Sequence, residues 1–164
     1  TIHLASDHAG FVHKEAIRDW LQGEGLTVVD HGAKHHDPLD DFPDFIALAA
    51  AAVQAAPQRN CAVIFGGSGQ GEAMAANRFR GVRATVFYGE PAVTQTDADG
   101  TAQSIISASR EHNDANVLSI GARFVTADVA KVAIATWLTT DFTGHERHRR
   151  RLAKLDAPYA TTTD

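Results

Sequence analysis

Residues 61–79 read CAVIFGGSGQGEAMAANRF. The run CAVIF passes straight into four glycines within six positions, Gly66 to Gly71, and then into an alanine-rich stretch of helix formers. A short apolar run, a glycine turn and a helix make a strand–loop–helix unit whose strand is buried on both faces. Such units build parallel sheets.

The same alternation runs outward in both directions. Strands are predicted at Ile2 to Ala5, Thr27 to Asp30, Val82 to Tyr88 and Asn116 to Ile120. Val12, Ala16, Ile17, Trp20 and Leu21 keep a helical period over Phe11 to Leu21, and Gly23 and Gly25 stop that helix. A second helix starts near Pro43 and ends before Pro57, as proline's fixed φ and missing N–H favour. Further helices are predicted in the second half of residues 89–114, over 126–140, and in a basic tail at about 145–156. Alternating strands and helices give right-handed crossovers and a parallel sheet covered on both faces, an α/β fold in one domain over residues 1–164. In such sheets ligands sit beyond the carboxyl ends of the strands. That rule brings Asp7 and His8, the glycine loop and Arg123 to one edge.

Bulk composition narrows the function classes. At 164 residues and 44% hydrophobic, the chain is long enough for a real core. A net charge of −5 argues against nucleic acid as the main partner. The single cysteine, Cys61, excludes an intrachain disulfide framework and fits a reducing compartment. No apolar run approaches the length of a membrane span, and TIHLASDHAG lacks the pattern of a signal peptide, so a cytoplasmic protein is expected.

The glycine loop invites an anion, because backbone amides can approach closely and a helix N-terminus adds partial positive charge. It is not a P-loop, since no Gly-Lys-Ser/Thr follows, and a dinucleotide fingerprint would need glycine at position 72, which is Glu. Glu90, roughly 20 residues on, keeps a weak dinucleotide reading open. A nucleophile elbow fails because the residue two after Ser68 is Gln70. Glu72 then has two compatible readings. An acidic residue in a first helical turn complements the dipole. Kept ionised by amides and dipole, it can also remove a proton from carbon next to a carbonyl, while the loop amides stabilise the enediolate.

Asp7 caps the helix that follows it or, with His8, handles the hydroxyls or ring oxygen of a cyclic sugar. His112 and Asn113 precede the last strand and are expected near the same sheet edge. Arg147 and Arg151 stand four apart on one helical face, which Arg150 can share, and Arg123 can join them. A basic helix is commonly a solvated surface, but arginines bind phosphate bidentately, and no aromatics interleave with them as nucleic-acid stacking would require. The loop DHGAKHHDPLDD, with His31, His35 and His36 among acids, shows no recognised metal spacing and reads as exposed.

The stretches SDHAGF, VVDHGA, DDFPDF, GGSGQGEAMAANRFRGVRA, REHNDANVLSIGAR and RHRRRL together resemble the ribose-5-phosphate isomerase B family, which includes the galactose-6-phosphate isomerase subunits. They cover nearly the whole chain in family order. The resemblance implies a Rossmann-like three-layer α/β/α sandwich with a five-stranded parallel sheet, in a homodimer or homotetramer with the site at the dimer interface. It implies metal-free, cofactor-free aldose–ketose isomerisation of a phosphorylated sugar, ribose 5-phosphate first. By matching position, Asp7 and His8 contact the sugar, and Gly67, Ser68, Gly69, Gln70 and Gly71 cradle the enediolate. His112 assists ring opening with Asn113 beside it, and Arg123, Arg147 and Arg151 hold the phosphate, some across the subunit boundary. One branch of the family places a cysteine base at the first loop position, which here is Gly66; the other uses the glutamate, so Glu72 inherits that role. The segment around 94–106 looks like an insertion able to reshape the pocket, which leaves other sugar phosphates, tetrose to hexose, as alternatives. A non-catalytic nucleotide- or phosphosugar-binding module is the rival of a different class.

Overall fold

The computed structural model describes residues 1–93, 95, 96 and 100–157. Five strands form one parallel sheet: β1 (Ile2–Ser6), β2 (Val28–Asp30), β3 (Cys61–Gly66), β4 (Ala84–Phe87) and β7 (Val117–Gly121), in the order β2-β1-β3-β7-β4. Two short strands, β5 (Gln95–Thr96) and β6 (Ala102–Gln103), pair antiparallel in a separate ribbon. This ribbon lies within the expected insertion, of which residues 94 and 97–99 fall outside the described part. The helices are α1 (Phe11–Gly23), α2 (Phe42–Ala55), α3 (Gln70–Ala76), α4 (Ile105–Asn113), α5 (Ala127–Thr139) and α6 (Glu146–Asp156).

The period of two along each strand divides the core into two layers. Leu4, Val63, Phe65, Leu118 and Ile120 face Ile17 and Leu21 of α1, Ile106 of α4, and Ile134 and Trp137 of α5. Their neighbours Ala5, Ala62, Ile64 and Val117 face Ile46, Ala49, Ala50 and Val53 of α2 and Ala76 of α3. The result is the three-layer α/β/α sandwich that the alternation predicts, with element ends shifted by a residue or two.

Local chemistry explains the helix ends. Ser104 caps α4 by accepting from the Ile106 amide at 3.1 Å, and Thr126 caps α5 by accepting from Val129 at 3.3 Å. After α1, Gly25 sits at φ +76°, and the Leu26 amide bonds back to the Leu21 carbonyl at 3.1 Å. Pro43 lies in the first turn of α2, as the sequence predicts.

The sheet order has a functional consequence. From β1 the chain moves to β2 on one side, then returns to place β3 on the other. A doubly wound sheet opens a crevice at the carboxyl ends of the two strands flanking this reversal. Asp7 follows β1 and the glycine loop follows β3, so both border that crevice.

Candidate active site

The loop after β3 is anchored to the turn after β7. The Ala122 amide donates to the Gly66 carbonyl at 2.8 Å and the Arg123 amide to the Gly67 carbonyl at 3.1 Å. Gly69, the N-cap of α3, adopts φ +74°, a left-handed conformation that favours glycine. Its carbonyl accepts from the buried Ser119 hydroxyl at 2.7 Å, which ties the start of α3 to the neighbouring strand.

The other glycines make room for side chains. An added Cβ at Gly66 would overlap the carboxylate of Glu72, so the Glu72 side chain folds back from α3 over the end of β3. A Cβ at Gly67 would crowd the Arg123 guanidinium at 3.1 Å, and one at Gly71 would meet the Phe42 ring at 2.9 Å. Glu72, Arg123 and Phe42 all line a cavity of about 330 Å³ beside the loop. A cavity this size is at the small end of ligand pockets, roughly 300–1,000 Å³.

Glu72 is only 4% exposed. Burial raises its pKa above the ordinary 4.5; its own backbone N–H opposes that shift, and the nearby Asp7 charge adds to it. From sequence, amides and dipole are expected to keep this carboxylate ionised. Instead, desolvation dominates, which makes Glu72 a stronger base than an exposed glutamate.

Asp7 does not cap α1, whose N-cap Gly10 receives no side-chain bond; it closes the turn that leads into the helix. Its Oδ1 accepts from the amides of Ala9 and Gly10 at 3.0 and 3.1 Å. Its neighbour His8 turns instead to Asp40, with Nδ1 at 2.6 Å from Asp40 Oδ1. Asp40 belongs to the loop read as exposed. Most of that loop is exposed, but Asp40, its last residue before the α2 N-cap Asp41, swings back to the site with a side chain 8% exposed. Polar local composition gives no signal for a contact that spans 32 positions of chain.

Asp7, His8 and Asp40 offer ligand atoms within 4.8 Å of one another, the one group among the described residues able to hold a metal ion. Of its atoms, Asp7 Oδ1 is taken by two amides, and His8 Nδ1 and Asp40 Oδ1 pair with each other. Gln70 is exposed at the start of α3, whereas Ser68 lines the cavity and accepts from the Gln70 amide at 3.3 Å.

The other expected site residues lie elsewhere. His112 and Asn113 end α4, and the Asn113 carbonyl accepts from Arg83 Nε at 3.1 Å, just before β4 begins. All sheet strands are parallel, so residues preceding a strand stand at its amino edge. His112 and Asn113 are therefore at the end of the sheet opposite the glycine loop, which corrects the expectation of a shared edge. The α6 helix packs here: the His112 ring lies 4.6 Å from that of buried His148, whose Nε2 accepts from Arg147 Nε at 3.1 Å. Burial, then His112 and Arg147, push the His148 pKa down. Arg147 and Arg151 are exposed on this helix. Thus a single chain holds two groups, with Asp7, His8, Glu72 and Arg123 around the cavity, and His112, Asn113, Arg147 and Arg151 away from it.

Glu90, which kept a dinucleotide reading open, accepts from the Ser104 hydroxyl at 2.9 Å at the end of edge strand β4. With β7 between β4 and β3, it is not placed to hold a ribose over the glycine loop. The insertion contacts His112 through Gln103, whose Nε2 lies 3.2 Å from His112 Nε2 and donates to Glu111 Oε2 at 3.2 Å.

The ribose/galactose isomerase family model matches residues 2–155. Ribose-5-phosphate isomerase B of Mycobacterium tuberculosis is 34% identical over 161 residues, covering 98% of this chain and 90% of the relative. The enzyme of the same name from Mycolicibacterium paratuberculosis is 35% identical, over 98% of this chain and 92% of its own. The crystal structure of ribose-5-phosphate isomerase B from Mycoplasma genitalium, with bound ribulose-5-phosphate, superposes with a TM-score of 0.81 at 32% identity, covering 94% of this chain and 93% of that one.

Proposed function

The chain belongs to the ribose/galactose isomerase family and is an aldose–ketose isomerase of the ribose-5-phosphate isomerase type, and we propose that it interconverts ribose 5-phosphate and ribulose 5-phosphate with Glu72 as the base. The observation that carries this reading is the Glu72 carboxylate lying over Gly66 in the lining of the cavity. In the open-chain aldose, Glu72 removes the C2 proton. The electron pair forms C1=C2 and the carbonyl oxygen becomes the enediolate. The C2 hydroxyl passes its proton to that C1 oxygen, and the proton held by Glu72, returned to C1, gives the ketose and restores the carboxylate. Loop amides stabilise the enediolate, as preorganised donors do without reorganising. Arg123, across Gly67, meets the phosphate end.

His112, Asn113, Arg147 and Arg151 reach the cavity from a second copy of the chain. The support is their separation within one protomer together with the need for a ring-opening acid and more than one phosphate-binding cation. A two-fold pair places each group opposite its counterpart. The reaction needs no metal or nucleotide, and the protein works in the cytoplasm. No helix among the described residues is long and apolar enough to cross a membrane.

Purified protein should interconvert the two pentose phosphates in the presence of chelator, and prefer them over tetrose and hexose phosphates. Glu72→Gln should lose turnover by about 10²–10⁴-fold while still binding substrate, because only the proton transfer is removed. Full turnover in that variant would reject the base. Preference for a hexose phosphate would instead move the substrate and leave the chemistry intact.

A further inference from the structure

We infer that Asp40 is a positioning residue that holds His8 in the Nδ1–H tautomer, so that Nε2 meets the substrate as a hydrogen-bond acceptor. The inference deepens the isomerase reading and rests on it for the identity of the ligand.

One oxygen grips His8 twice. Asp40 Oδ1 accepts from the His8 backbone amide at 3.1 Å and lies 2.6 Å from the His8 ring Nδ1. Holding backbone and ring of one residue from a single point fixes the ring's orientation as well as its position. An ionised carboxylate can only accept, so the hydrogen of this contact sits on Nδ1. In a neutral imidazole the other nitrogen is then an acceptor, the usual way a second partner sets histidine chemistry. His8 lines the cavity, with its side chain 27% exposed.

The alternative partner is excluded by distance. Asp7 is adjacent in sequence, yet its Oδ2 lies 4.0 Å from His8 Nδ1 while its Oδ1 is held by two amides. Among the described residues Asp40 has no competing donor. Its Oδ2 is buried without a partner among the described residues, so His8 is the group its carboxylate serves. Asp40 also comes to the site by a rigid route. Its amide donates to the Asp37 carbonyl at 3.1 Å, and two residues later Phe42 opens α2 with its ring against Gly71. The start of α2 thus delivers a carboxylate and an aromatic wall to the same cavity.

A sugar presents mainly hydroxyl donors, each of which needs an acceptor when it loses water. Nε2 as acceptor meets that need beside Glu72. The opposite tautomer would present an N–H there and leave a hydroxyl with no other acceptor holding an unpaired proton.

The test reads the tautomer directly on unliganded protein, by ¹⁵N NMR of the histidine rings, with the His8 signals identified by their loss in His8→Gln. The expected result is Nδ1–H in the wild type, a shift toward Nε2–H in Asp40→Ala, and retention of Nδ1–H in Asp40→Asn, whose carbonyl can still accept. In parallel, kcat/KM for ribose 5-phosphate should fall by about 10- to 100-fold in Asp40→Ala and recover partly in Asp40→Asn. Asp40→Ala added to His8→Gln should cost nothing more, as expected of two residues acting as one unit. An Nε2–H tautomer in the wild type, or losses that add in the double variant, would overturn the inference. If Asp40→Ala fails to fold, the wild-type tautomer and Asp40→Asn decide alone. Because the tautomer is read without substrate, its outcome is independent of whether Glu72 proves to be the base.

Discussion

The carboxylate of Glu72 occupies the volume that a side chain at Gly66 would fill, six residues earlier on the preceding strand. Position 66 is where one branch of the resembling family carries its cysteine base. The two placements are mutually exclusive for steric reasons: the glutamate can lie there only because residue 66 has no Cβ. Loop and carboxylate therefore form one unit, and replacing either alters both.

Gly66→Ala should push the Glu72 carboxylate out of place without removing it. Turnover should fall nearly as far as in Glu72→Ala, and the double variant should be no worse than either single one. Steady-state kinetics on the three proteins check this. Additive losses would mean that the two positions act separately.

The raised pKa of Glu72 makes both activity and stability depend on pH. As pH falls through the folded-state value, the base becomes protonated, so the acid limb of kcat/KM should lie above the ordinary glutamate range near 4.5. For stability the sign is reversed. The native state holds this proton more tightly than the unfolded chain, so the contribution is present below 4.5 and lost as pH rises through the folded value. Glu72→Gln should therefore melt higher than wild type at neutral pH, with the difference vanishing at acid pH. Equal melting temperatures at neutral pH would contradict the burial argument.

His3 and His31 share one short contact, Nδ1 to Nε2 at 2.8 Å, beneath the sheet edge where β1 meets β2. Burial lowers both pKa values; the neighbouring His31 ring adds to the shift at His3, while at His31 the Asp30 carboxylate opposes it and Lys34 adds to it. The unfolded chain then binds protons first, so stability should drop as pH falls below about 6.5. His31→Asn should flatten that loss, which urea titrations across the range would measure.

Ser119 is fully buried, and its hydroxyl donates to the Gly69 carbonyl. Ser119→Ala should cost about 1 kcal/mol in urea unfolding, the net worth of one buried hydrogen bond. It should also raise KM, because the start of α3 loses its tie to β7. An unchanged KM would show that the loop holds its shape through the Ala122 and Arg123 amides alone.

If His112 and the C-terminal arginines serve the cavity of a partner, two inactive variants should rescue each other. Mixing Glu72→Gln with His112→Ala after subunit exchange should restore about a quarter of wild-type turnover, since half the dimers carry one intact site of two. No recovery despite demonstrated exchange would place both groups in one protomer's site.

Much of this protein was legible from local pattern. The period of two in the strands, the period of 3.6 in the helices and the glycine punctuation are consequences of backbone geometry acting over a few residues, so fold class, strand positions and helix ends follow from the chain read in order. Parallel winding then brings Asp7, the glycine loop and Arg123 to one edge. Glu72 was recognisable by position, but not that burial outweighs its amide, because desolvation depends on what packs around it. Only the tertiary structure paired His8 with Asp40, through a loop whose polar composition suggests solvent. The tertiary structure also carried His112 and Asn113 to the far end of the sheet from the cavity. Local propensity is written in neighbouring residues, whereas a contact across 32 positions is settled by how the layers close.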